Sequence, residues 1–175
     1  KYKMKNNKYF ILPNQYWKHK NHILVLKALE QLGSIWKKKI LIVSTGANND
    51  WRYLHHFESI KNYILEKNLK NNYQILGLID RNDLFNLIYY SIGLVQPSKS
   101  EGESGSVEMA KSFNKITLLS SIDVHKEQRP QRSYFYDIND YKKLSIYLIR
   151  FYQKFNLLNE KKLVKKSLIN NKVVL

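Results

Sequence analysis

"IGLVQPSKSEGESGSVEMAKS", residues 92–112, is the stretch whose reading decides the fold. An apolar run, Ile92–Pro97, passes through a turn rich in serine, glycine and glutamate into a helical segment ending near Ser112. A short, wholly apolar strand leading through a polar turn into a helix is one unit of a sheet covered on both faces. If the helix begins near Ser104, its first N–H groups have no acceptor within it. The helix dipole then places about half a positive charge behind them. Gly102 and Gly105 let the backbone approach an anion closely, and Ser104 and Ser106 add hydroxyl donors, which together make a seat for a diphosphate. The same spacing also fits a capped helix start after a turn and nothing more. It is neither a Walker sequence nor the dinucleotide fingerprint.

The acidic residues of this stretch need separate placement. Carboxylates beside a phosphate seat repel the ligand unless they face something else, such as sugar hydroxyls. Glu101 precedes the helix and projects into any cleft at the strand end. Glu108 lies one turn in, on the Ser104 side, and Glu103 reads as solvated. Paired carboxylates also occur in glycoside hydrolysis, but that chemistry does not require a helix-start phosphate seat.

Outward from this unit the pattern repeats. Strands are expected at Tyr9–Leu12, Ile40–Gly46, Tyr73–Gly77, Ile116–Ser120 and Ser133–Asp137. Helices are expected at His22–Leu32, Trp51–Asn68, Asn82–Tyr90, Tyr141–Phe155 and about Glu160–Ile169. Short apolar strands alternating with helices indicate an α/β domain, a doubly wound parallel sheet with helices on both faces. Ligands bind such sheets at the carboxyl ends of the strands, near a switch in strand order. Three further polar stretches fall in those loops. "PNQYWKHKNH" (13–22) places Lys18, Lys20, His19 and His22 at that edge, and a lysine is a good point charge for phosphate. "LGLIDRNDL" (76–84) follows a glycine at a strand end, where a base can lie against Leu78 and Ile79. "SSIDVHKEQRP" (120–130) reads as a polar loop in which His125 and Glu127 form either a general acid–base pair or an ordinary surface.

The bulk composition narrows the class. At 175 residues the chain is one domain long, with no internal repeat and no linker that splits it. No apolar run reaches the roughly 18–20 residues of a membrane span. No signal peptide is evident after the basic stretch Lys1–Lys8. The absence of cysteine excludes disulfides and thiolate metal sites, and fits a reducing cytosol. The histidines have no metal-binding spacing. Thirty Lys+Arg against 14 Asp+Glu give a net charge of +16, with asparagine abundant beside lysine. That pattern reflects a compositional bias or a basic face toward an anionic membrane surface. The even spread of charge and the lack of a recognisable module argue against nucleic acid.

Placed in order, these stretches resemble the C-terminal, donor-binding domain of a retaining GT-B glycosyltransferase of the glycosyl transferases group one family. "QPSKSEGESGSVEMAKSFNKITLLSSIDVHKEQRP" carries the closest match, and "NQYWKHKNH" and "LGLIDRNDL" match in the same order. The resemblance runs from about Tyr9 to Asp137, and less specifically to the end of the chain, and it implies a Rossmann-like domain forming one half of the GT-B fold. It implies that Lys20 contacts the donor diphosphate and that Glu101 hydrogen-bonds the transferred sugar. Ser104 and Gly105 match the turn whose N–H groups hold the diphosphate, and Leu78 and Ile79 fall near the base. Two departures stand out. The family's ribose-binding glutamate falls at Met109, and Glu108, one residue early, is rotated by about 100° around a helix. Gln15 stands near the place of a family arginine, so Lys18 or Lys20 must supply that charge.

By the same resemblance, the chain is expected to be a single nucleotide-sugar-binding domain. The acceptor domain would lie N-terminal to it, and this domain alone would not transfer sugar. The implied role is in bacterial surface polysaccharide synthesis. The implied partner is a nucleotide-diphosphate sugar, with no metal cofactor, in the cytoplasm at the inner face of the membrane.

Overall fold

The computed structural model describes residues 8–170, so the basic opening residues lie outside it. Six strands form one sheet: β1 (Phe10–Pro13), β2 (Ile42–Thr45), β3 (Tyr73–Ile75), β4 (Gly93–Gln96), β5 (Ile116–Ser120) and β6 (Ser133–Tyr136). Their order is β3-β2-β1-β4-β5-β6 and every pairing is parallel. The order reverses between β1 and β4, where Ile11 pairs with Leu94. That is the switch point at which such sheets open a crevice.

The connecting helices are α1 (His22–Glu30), α2 (Ser34–Lys37), α3 (His56–Glu66), α4 (Arg81–Tyr90), α5 (Gly105–Ser112), α6 (Asp123–Gln128), α7 (Tyr141–Lys154) and α8 (Leu157–Asn170). Side chains of a strand point alternately to its two faces, so β1 feeds two cores. Phe10 and Leu12 enter one core with Val25 and Leu29 of α1, Ile60 of α3 and Leu148 of α7. Ile11 enters the other with Ile88 of α4, Val107 of α5 and Val164 of α8. The expected doubly wound parallel architecture is therefore what the chain adopts. Among the described residues no helix is long and apolar enough to cross a membrane.

The structure departs from expectation in several places, and three of these have a clear local reason. The helix expected from Trp51 begins at His56. Asp50 Oδ1 instead accepts from the Arg52 backbone N–H at 3.2 Å, and Trp51 and Leu54 are 80% and 78% exposed, so nothing draws that turn onto the core. The polar loop after β5 contains α6, which buries only His125 and so carries no apolar stripe to read. The last helix starts at Leu157, where Asn156 Oδ1 accepts from the Leu158 and Asn159 N–H groups.

Gly46 closes β2 at φ +131°, and a Cβ there would stand 2.4 Å from the Asn14 carbonyl oxygen. Only glycine lets the two strand ends come this close.

Candidate functional site

The carboxyl ends of β1 and β4 carry two polar residues, Asn14 and Gln96, both buried. Gln96 Nε2 lies 3.0 Å from Asn14 Oδ1, 3.0 Å from Glu101 Oε1 and 3.1 Å from Ser104 Oγ. A single amide thus ties the switch point to both the carboxylate and the helix start. The sequence reading missed this residue. Its signal was a glutamine ending an otherwise apolar strand.

Lys20 comes from a 3₁₀ turn, Lys18–Lys20, which Asn21 ends in the left-handed conformation at φ 57°. The Asn21 side chain donates to the carbonyls of Pro97 (3.1 Å) and Ile138 (3.0 Å), pinning that turn to the loop after β4. The Lys99 N–H donates to the His19 carbonyl at 2.8 Å, a second tie between the same loops. Held this way, Lys20 Nζ donates to Glu101 Oε2 at 2.5 Å, and the two side chains are 13% and 5% exposed. Burial and then the charge of Lys20 lower the pKa of the neighbouring His19, against an opposing pull from Glu101.

Lys18, Lys20 and Glu101 line a cleft of about 750 Å³ that Trp17, Arg52 and Gly102 also border. Glu103 stands exposed at its rim. Ser104 is the residue before α5, and the Gly105 and Ser106 N–H groups have no acceptor among the described residues. Ser104 Oγ and Ser106 Oγ are 3.2 Å apart. The structure therefore brings together Lys18, Lys20, Glu101 and Gly102 in the cleft, and Gln96 joins Ser104 to them.

Other candidates sit elsewhere. Glu108 Oε1 accepts from Gln128 Nε2 at 3.0 Å, and its other oxygen is 3.7 Å from Lys111 Nζ. It does not line the Lys20–Glu101 cleft. Gln128 also donates to the Ser104 carbonyl at 3.1 Å, so α6 braces the start of α5, a role the sequence did not reveal. Met109 packs against the second core. Leu78 is 81% exposed and Ile79 packs against that core, and neither borders the cleft.

The acid–base reading of His125 and Glu127 does not hold. His125 is fully buried, with Nδ1 2.9 Å from the Ser120 carbonyl, while Glu127 points to solvent. Burial lowers the His125 pKa, so it serves as a neutral brace under the loop. Among the described residues no three His, Asp or Glu side chains converge as a metal site.

A six-stranded parallel sheet with helices on both faces, and a cation, a carboxylate and a bare helix start at its switch point, defines a Rossmann-like α/β domain. The chain belongs to the glycosyl transferases group 1 family, whose model matches residues 1–171. No curated protein sequence matches it. Among solved structures it is similar to a glycosyltransferase from Rickettsia africae, at 18% identity and a TM-score of 0.77, covering 96% of this chain and 44% of that one. HepE from Anabaena, in complex with UDP-glucose, matches at 12% identity and a TM-score of 0.72, covering 94% of this chain and 49% of that one. The catalytic domain of the cholesterol-α-glucosyltransferase from Helicobacter pylori matches at 17% identity and a TM-score of 0.60, covering 90% and 94%. The chain thus spans less than half the length of the first of these structures.

Proposed function

We propose that this chain is the donor-binding domain of a retaining glycosyltransferase that takes a nucleotide-diphosphate sugar. The observation that carries this is the Lys20–Glu101 pair at the switch point of the sheet, beside the free N–H groups that open α5. The diphosphate sits on the Ser104–Ser106 amides, with Lys20 turned from Glu101 onto its oxygens and Lys18 adding charge. Glu101, released from the lysine and still held by Gln96, accepts from hydroxyls of the sugar. Catalysis is then positioning plus stabilisation of the departing diphosphate by amide dipoles and lysine, which asks for no metal. The base lies toward Leu78 and Ile79, and the ribose toward Glu108, since Met109 is committed to the core.

In this reading the acceptor binds to a second domain N-terminal to this one, and the present domain alone binds donor without transferring sugar. The similarity to a protein solved with UDP-glucose supports the donor class. The basic charge supports work at the anionic inner face of a membrane, and the reading as an enzyme of bacterial surface polysaccharide synthesis rests on the subfamily resemblance alone. The core position of Met109 favours one rival reading, a nucleotide or interaction module without catalysis in which donor binding has been lost.

Titration calorimetry with UDP, GDP, dTDP and ADP decides the matter. Saturable binding to one of them is expected, weakened about tenfold by Lys20→Ala through loss of a charge-assisted contact. Glu101→Ala is expected to weaken the nucleotide sugar more than the bare nucleoside diphosphate. Absence of binding to all four would sink the donor assignment.

A further inference from the structure

Behind the cleft lies a second pocket of about 390 Å³, opening between the start of α1, the start of α3 and the turn before α7. Lys18, Lys27, Lys99 and His56 line it, and no aspartate or glutamate does among the described residues. None of the three lysines has a carboxylate partner among those residues. Lys18 Nζ rests 4.2 Å from the centre of the Tyr53 ring.

The carboxylates close enough to serve are committed elsewhere. Asp50 accepts from the Lys18 and Arg52 N–H groups, Glu101 is held by Lys20 and Gln96, and Glu30 pairs with Tyr63 and Lys67. Ser59, Asn139 and Tyr141 add neutral hydrogen-bonding groups to the same wall. His56 Nε2 is buried without a partner. Three exposed lysines along one wall, with no carboxylate among them, leave the cavity positive, and an anion entering it is attracted. The donor cleft is built differently, because Glu101 and Glu103 already balance part of its charge.

We propose that this pocket is a second anion site, built for a phosphate monoester or diester and separate from the seat at the start of α5. Lys18 and Lys99 border both cavities, so a phosphate here and a donor diphosphate lie on opposite sides of the same two lysines. On the donor-domain reading, on which this step rests, the phosphate belongs to an acceptor whose body lies on the second domain and whose phosphate end reaches this pocket, so the shared lysines bring the two substrates together.

The test is a titration of the isotopically labelled protein with methyl phosphate in saturating nucleoside diphosphate, followed by amide chemical shifts. Shifts are expected in residues 21–27 and 139–141. They should persist in Lys20→Ala, weaken about tenfold in Lys27→Gln and recover in Lys27→Arg. A response confined to residues 101–106, or one that Lys27→Gln leaves unchanged, overturns the proposal. If no nucleotide binds but the α1 response remains, the donor reading alone has failed. Phosphatidylglycerol vesicles then separate the sources. Vesicle binding lost in Lys27→Gln assigns the site to a lipid headgroup, and vesicle binding indifferent to it assigns a soluble phosphate ester.

Discussion

Lys20 and Glu101 neutralise each other across the cleft, and on the proposed reading the donor separates them. Glu101→Gln keeps an acceptor for Gln96 but frees the lysine, so UDP is expected to bind a few-fold tighter while UDP-sugars gain nothing; calorimetry on both ligands checks this. At Gly46 the constraint is steric. Gly46→Ala places a methyl against the Asn14 carbonyl at positive φ, and is expected to cost at least about 2 kcal/mol in urea unfolding. His22 is fully buried, with Nδ1 2.7 Å from the Tyr73 hydroxyl and Nε2 3.0 Å from the Gln15 carbonyl. The carbonyl can only accept, so Nε2 carries the proton and Nδ1 accepts from tyrosine. Burial lowers the His22 pKa from 6.5 to about 3. The unfolded chain therefore binds a proton throughout that window while the folded one does not, and stability falls as pH drops through it. Urea midpoints at pH 7 and pH 4 should show the loss in the native protein and a smaller one in His22→Asn.

Among the elements, α8 is held by charge as well as by Val164. Glu160 accepts from Arg132 Nη1 and Nη2 at 2.9 and 2.8 Å and stands 3.9 Å from Lys115 Nζ. Lys115 is 1% exposed and also donates to the Ser91 carbonyl at 2.6 Å. Removing one partner strands the others, so Glu160→Ala should cost about 3 kcal/mol, read from chemical denaturation. Burial lowers the Lys115 pKa from 10.5 to about 8, which makes unfolding take up a proton between those values. Stability from this lysine is full above 10.5 and declines as pH falls to about 8; Lys115→Met should abolish that slope when midpoints at pH 8 and 10 are compared. These elements also show where periodicity fails as a guide. Strands β4 and β5 announced themselves because both faces are buried. The 51–55 turn and α6 did not, because one is shaped by a buried aspartate and the other buries a lone histidine.

At the scale of the whole molecule, β1 supplies both cores from alternate residues, so neither core survives loss of the other. Far-ultraviolet circular dichroism and tryptophan fluorescence are expected to report one coincident transition; two separated transitions would contradict the shared strand. The sequence by itself determined the alternation of strands and helices, the basic balance and the presence of a lysine, a carboxylate and a glycine-serine helix start, because burial pattern and side-chain chemistry are local properties. The parallel frame confirmed what that alternation implied. Only the tertiary structure decided that Lys20 and Glu101, far apart in the chain, meet in an ion pair governed by Gln96. It alone showed that Glu108 belongs to Gln128 and that three lysines line a pocket with no acid among its described lining residues. The physical reason is that strand order, and the loop ties at Asn21 and Lys99, set which loops face each other, and no local pattern encodes that.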